Sequence, residues 1–240
     1  MNFTYKSYIE LLNRLRLFKY ENSNYFDWST SKKPLILRHD IDYDIKKALK
    51  LAEIEANQGF LGTYFVLLTS DFYNVFSRRN IEDLKSIEIM GHTIGLHFDE
   101  MNYPEIVGDK EAVVRKILKE AQILENALEI PIRVVSMHRP SKEILQDNLE
   151  IPGMINSYSE TFFRDFKYLS DSRRRWREPV EEIVSSNKYN KLHILTHAFW
   201  YNEVETSLKN SLNRFLEEAE MERYNILSDN FTNLDEALGG

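Results

Sequence analysis

Four short apolar runs in this chain break off abruptly in histidine or aspartate, and that recurrence constrains the fold more than any other feature. Residues 34–40 lead into Asp40, Ile41 and Asp42. Residues 92–97 end at His97, followed by Phe98 and Asp99. Residues 132–138 end at His138, before Arg139 and Pro140, and residues 192–197 end at His197. Between such runs lie amphipathic stretches. Ile45, Leu49, Ala52 and Ala56 recur at helical spacing up to Gly59; residues 81–90 stop at Gly91; Val113, Ile117, Ala121, Leu124 and Leu128 share one face of 110–128. A further apolar run covers 62–68, and weaker ones cover 154–158 and 166–169. Short strands alternating with helices predict a parallel sheet with helices outside it. In such folds the active site forms at the carboxyl ends of the strands, and four of the six histidines, His39, His97, His138 and His197, lie in or beside these ends.

Two helical stretches flank this pattern. Tyr8, Leu11, Leu12, Leu15 and Leu17, interleaved with Asn and Arg, read as an amphipathic helix and not as a signal peptide. A long terminal helix is expected from about Ser207 to Tyr224. No run is long enough to span a membrane, so no integral membrane segment is expected and the expected location is cytoplasmic. At 240 residues, with 42% hydrophobic and 29% charged residues, the chain can bury a substantial core as one domain. Residues 1–33 would be a helical lead-in, 34–201 the motif-bearing part and 202–240 a helical closing segment of that single domain. A net charge of −7 argues against a nucleic-acid partner. The absence of cysteine leaves histidine, carboxylate or water as the only metal ligands.

The polar strand ends carry the chemistry. Asp40 and Asp42, one residue apart, point the same way from a strand and would repel unless a cation or a shared proton joins them. A metal ligand beside a general base satisfies this; alternatively Asp42 or Asp44 simply caps the helix from Ile45. His97 ends its strand and is either a ligand or structural, whereas His92, at the strand's entrance, reads as structural. Arg139 could grip a catalytic carboxylate by a forked hydrogen bond or form a surface ion pair. His197, ahead of Phe199, Trp200 and Tyr201, suits a general acid beside a sugar-binding platform, and the same aromatics could be core. The basic run Arg173, Arg174, Arg175 and Arg177 around Trp176 is either a solvated loop or a site for a phosphate-like anion.

Taken together, the segments 37–42, 63–65, 91–99, 136–140, 170–172 and 195–197 resemble the polysaccharide deacetylases of carbohydrate esterase family four. They are most similar to the deacetylase-like proteins of bacterial surface-polysaccharide (O-antigen, capsule) synthesis. The resemblance implies a distorted (β/α) barrel of about seven parallel strands and a divalent metal, usually Zn2+. It implies Asp40 as general base, Asp42 and His97 as metal ligands, Arg139 as the residue orienting the base and His197 as general acid. Asp171 and Trp176 fall where the family shapes its pocket. The family pattern has a second histidine four residues after the first, where this chain has Met101. Either another side chain completes the site (His138 first, Asp99 second), or the metal binds weakly, or catalysis is lost.

The reaction implied is hydrolysis of an N-acyl group, acetyl first among them, on an amino sugar carried by a nucleotide or a lipid. Trp200, Tyr201 and Trp176 would stack on that sugar. Two rivals stand beside this expectation: a catalytically silent barrel that binds a saccharide or a partner, and a hydrolase of a different acyl bond such as an ester or formamide.

Overall fold

Strand after strand in this chain is apolar on both faces, as a sheet covered by helices on one side and filled on the other requires. A computed structural model describes residues 1–146 and 148–239. In chain order the regular elements begin with α1 (Tyr5–Leu17), β1 (Glu21–Ser23), β2 (Pro34–Ile41) and α2 (Ile45–Asn57). Next come β3 (Thr63–Leu67), α3 (Arg78–Ile89), β4 (Thr93–Phe98), α4 (Lys110–Leu128) and β5 (Val134–Met137). The chain continues with α5 (Lys142–Gln146), β6 (Ile155–Asn156), β7 (Lys167–Ser170), α6 (Val180–Ser186) and β8 (Leu192–Thr196). It ends with α7 (Leu208–Ser228) and α8 (Leu234–Leu238).

The strands run in the order β6-β5-β4-β3-β2-β8-β7, every pair parallel, and curl into a half-barrel of seven parallel strands. This is the parallel sheet expected from the strand–helix alternation, curled into the distorted (β/α) barrel that the family resemblance implies. β1 adds a short parallel pairing to the first residues of β2, Glu21 opposite Pro34, while β3 pairs with its last residues, Arg38 to Ile41. Alternation along the strands separates two faces. Ile36, Phe65 and Val134 point inward and pack with Tyr25, Phe162 and Phe166, filling the barrel below the site. Gly95 makes room for this plug, since a Cβ there would lie 2.7 Å from the Phe65 ring. The opposite face carries His39, which meets the fully buried Glu55 of α2 at 2.9 Å and Thr196 Oγ1 at 2.7 Å.

Helix starts are set by side-chain caps. Asp44 accepts from Lys47 N–H at the head of α2, Asp109 from Ala112 N–H at the head of α4, and Ser207 from Asn210 N–H at the head of α7. The chain divides into two compact units, Met1–Glu203 and Val204–Gly240. The first contains the whole sheet, and a bridge between Thr4 and Asn202 joins its two ends. The second is helical, with α7 and α8 linked by a hydrogen bond from Tyr224 to Asp235. No helix among the described residues is long and apolar enough to cross a membrane.

Candidate active site

β2 ends in three inward-pointing polar residues, Arg38, Asp40 and Asp42, stacked above the hydrophobic plug. Because Asp44 caps α2, Asp42 is left for the site. Its Oδ1 lies 3.3 Å from His97 Nε2 at the end of β4 and 3.3 Å from His138 Nδ1 just after β5. The two imidazole nitrogens are themselves 3.1 Å apart. Bonds of about 2.0–2.1 Å to a tetrahedral ion place neighbouring ligand atoms roughly 3.3–3.4 Å apart, so this triangle matches one face of such a site. Asp42 Oδ1 is buried and has no hydrogen-bond partner. A buried carboxylate oxygen and two imidazole nitrogens converging on one point form a donor set that fits a borderline divalent cation such as zinc. His97 is oriented from behind, its Nδ1 3.1 Å from Ser136 Oγ, the outer support that metal-binding imidazoles use.

The triad is flanked by a carboxylate and an imidazole, each held by its own partner. Arg38, fully buried, grips Asp40 with two parallel bonds, Nε to Oδ1 at 2.9 Å and Nη2 to Oδ2 at 2.8 Å. The same guanidinium donates to Ser136 Oγ. Burial alone would raise the Asp40 carboxyl, but Arg38, with His97 and His197 beyond it, holds it below the ordinary value. His197 Nδ1 lies 2.7 Å from Asp171 Oδ1, and the same carboxylate accepts the backbone N–H of His197 at 3.1 Å. Burial would push the imidazolium down; the bond to Asp171 outweighs it, and the net result is a value raised to about 9. The bond to Asp171 thus favours the protonated imidazole, whose Nε2 lies 3.7 Å from Asp42 Oδ2.

Asp40, Asp42, His97, His138, Asp171 and His197 therefore come together as one constellation. Other residues singled out from the sequence do not. Arg139 does not reach Asp40: its Nε donates to Asp99 at 3.0 and 3.2 Å, and its side chain is 57% exposed. The arginine that grips the aspartate is Arg38, which a run of strand residues conceals. Asp99, engaged by Arg139 and by Met101 N–H, is outside the triad. Met101 sits in a surface turn, 38% exposed. Tyr201 is fully buried against Phe3 and Tyr8 and offers no face to a sugar. Trp200, 7% exposed, lies beside His197, with ring centroids 6.5 Å apart. Trp176 is half-buried, its indole N–H enclosed without a hydrogen-bond partner. Arg174 of the basic run stands over the Phe3 ring at 5.6 Å. His92 is structural, as its position suggests, bonded to Gly62 N–H and Ala52 O.

No family model matches the sequence, and no curated protein matches it. Solved structures give distant likenesses. The Streptococcus pyogenes deacetylase PplD in complex with acetate is 16% identical with a TM-score of 0.46, over 59% of this chain and 66% of that one. A CE4 family pseudoenzyme from Bacillus anthracis is 15% identical with a TM-score of 0.45, over 80% and 62%. The catalytic domain of a peptidoglycan N-acetylglucosamine deacetylase from Eubacterium rectale is 13% identical with a TM-score of 0.47, over 84% and 88%. The chain spans just under two thirds of the length of the first two.

Proposed function

We propose that this chain is a metal-dependent hydrolase of the polysaccharide-deacetylase type, removing an N-acyl group, acetyl by preference, from an amino sugar of a surface-polysaccharide precursor. One observation carries the reading: three metal-type donors within 3.3 Å of one another, flanked by an arginine-held carboxylate and an aspartate-held imidazolium. Asp42, His97 and His138 would hold the ion. The chemistry such an ion supplies is polarisation of an acyl oxygen and acidification of a water.

The chain's own residues supply the proton transfers. Asp40, kept ionised by Arg38, accepts a proton from the water as its oxygen bonds to the acyl carbon. His197, kept protonated by Asp171, donates a proton to the amine nitrogen as the C–N bond breaks. Amide and water are thereby converted to carboxylate and free amine. Asp40 Oδ2 lies 3.6 Å from His97 Nε2 and His197 Nε2 lies 3.7 Å from Asp42 Oδ2, so a base and an acid both border the proposed metal donors.

The test is acetate release from N-acetylated amino sugars by zinc-loaded protein. Asp40→Asn should keep its metal and lose turnover by at least about 100-fold, the scale of a positioned general base. Full turnover in that variant would remove Asp40 from the role. Bound metal without acetate release from any acylated sugar would favour a silent saccharide-binding barrel.

A further inference from the structure

Behind the proposed metal donors lies a serine whose hydroxyl meets three polar groups at once. Ser136 is fully buried on β5, and the strand register sets it opposite His97 of β4. Its Oγ accepts from Arg38 Nη2, lies 3.1 Å from His97 Nδ1 and lies 3.5 Å from Asp40 Oδ1. One hydroxyl therefore touches a proposed ligand, the proposed base and the guanidinium that grips that base.

Counting protons decides how these contacts are shared. A serine hydroxyl offers one proton and two lone pairs. Arg38 can only donate, and it occupies one lone pair. Asp40, ion-paired with Arg38, can only accept. The neutral imidazole of His97 can do either at Nδ1, according to its tautomer. If the Ser136 proton turned to Nδ1, the remaining Oγ lone pair would face the buried Asp40 carboxylate with no proton between them. The ring proton would then sit on Nε2, among the donor atoms of Asp42 and His138. The opposite arrangement satisfies all three partners of the hydroxyl: His97 Nδ1–H donates to Ser136 Oγ, and Ser136 O–H donates to Asp40 Oδ1. The Nε2 lone pair then faces Asp42 Oδ1 at 3.3 Å and His138 Nδ1 at 3.1 Å. Repulsion is thereby gathered at one point, where Asp42 Oδ1 is itself buried without a hydrogen-bond partner and where a cation would relieve it.

We infer that Ser136 is a positioning residue that couples the proposed metal donors to the proposed base. It holds His97 as the Nδ1–H tautomer, leaves Nε2 open toward Asp42 and His138, and points its own proton at Asp40. This rests on the deacylase reading for the ion and the base, and adds the residue that sets the state of both.

The experiment uses the full chain as wild type, Ser136→Ala and Ser136→Cys, the last keeping the side-chain shape with a weakly bonding thiol. Long-range proton–nitrogen correlation spectra of metal-free protein carrying isotopically labelled histidine, at a pH where the ring is neutral, show which nitrogen of His97 is protonated. His97→Ala assigns the resonances. Zinc affinity is measured in parallel by competition with a chromophoric chelator. Wild type should be protonated at Nδ1. Both variants should show mixed tautomers and bind zinc about 10- to 100-fold more weakly, the scale of losing an outer hydrogen bond to a metal-binding imidazole. Should Ser136→Ala fail to fold, Ser136→Cys and the wild-type spectrum carry the comparison. A His97 ring protonated at Nε2 in wild type would overturn the inference, as would variants that keep the wild-type tautomer, whatever their zinc affinity. Wild type that binds no zinc would end the metal reading instead. The spectra then decide alone: a tautomer shift in the variants upholds Ser136 as the residue that orients His97, and no shift rejects it.

Discussion

Arg38 joins Asp40, Ser136 and the interior of the barrel through one guanidinium. Replacing it with methionine leaves the Asp40 carboxylate buried and unpaired, which should cost about 3–5 kcal/mol in urea denaturation. Arg38→Lys keeps the charge but loses the fork and should lower turnover more than stability. Arg139→Ala, acting on a mostly exposed partner of Asp99, should cost clearly less than Arg38→Met, and an equal loss would place the tether elsewhere. A second buried group gives a pH dependence. Burial pushes the Glu120 carboxyl from its ordinary 4.5 up to about 7, against the hydrogen bond from Tyr103. The folded state therefore binds this proton more tightly than the unfolded chain does. Its contribution to stability is full below about 4.5 and is lost as pH rises through about 7. Glu120→Gln should remove that loss, gaining on the order of 1–3 kcal/mol at pH 8 relative to pH 4.5; parallel stability curves for variant and wild type would contradict this. Among single residues, Asp40, Asp42, His97, His138 and His197 stand out in the sequence because each stands where an apolar run stops, and the structure brings their side chains together. Arg38 was not, since a fully buried arginine inside a strand has no periodic signature and its partner is defined only by the strand's inward face. Arg139 misled for a related reason: position after a strand does not say across which gap a long side chain reaches.

At the scale of elements, one glycine sets how closely β2 and α2 are approached from the start of β3. A Cβ at Gly62 would meet His39 Nε2 at 2.7 Å and Glu55 Oε2 at 2.8 Å, inside the buried cluster behind β2. Gly62→Ala should therefore destabilise by about 1–3 kcal/mol, the range of core overpacking, while Gly59→Ala meets no atom and pays only for its positive φ of +69°. Comparable thermal shifts from overcrowding and from backbone strain would be separated by Glu55→Gln in the Gly62→Ala background, which should not add a full second loss. The elements themselves follow the sequence closely where the pattern is long: residues 110–128 read as a helix and α4 spans Lys110–Leu128. Short polar strands do not announce themselves. β1, with one buried residue, owes its pairing to β2, a contact that spacing cannot show. Tyr201 was misread as a platform because its cover, Phe3 and Tyr8, comes from the far end of the chain.

For the molecule as a whole, the strand–helix alternation predicted the parallel sheet with polar residues at its carboxyl ends, and the family resemblance predicted its curl into a barrel. The placement of His138 in the triad depends on how β5 is registered against β4, His97 opposite Ser136, which no local pattern contains. All three donors belong to the unit Met1–Glu203, so a chain ending at Glu203 should keep a cooperative thermal unfolding transition and its metal stoichiometry. A truncation that abolished binding would tie the site to residues beyond 203. The central claim is that Asp42, His97 and His138 bind one divalent ion, and zinc titration monitored by elemental analysis after gel filtration tests it most directly. The account predicts about one zinc per chain in wild type and in Met101→Ala, and none retained in His97→Ala or His138→Ala. Full zinc occupancy in His138→Ala, or no zinc in the wild-type chain, would contradict it.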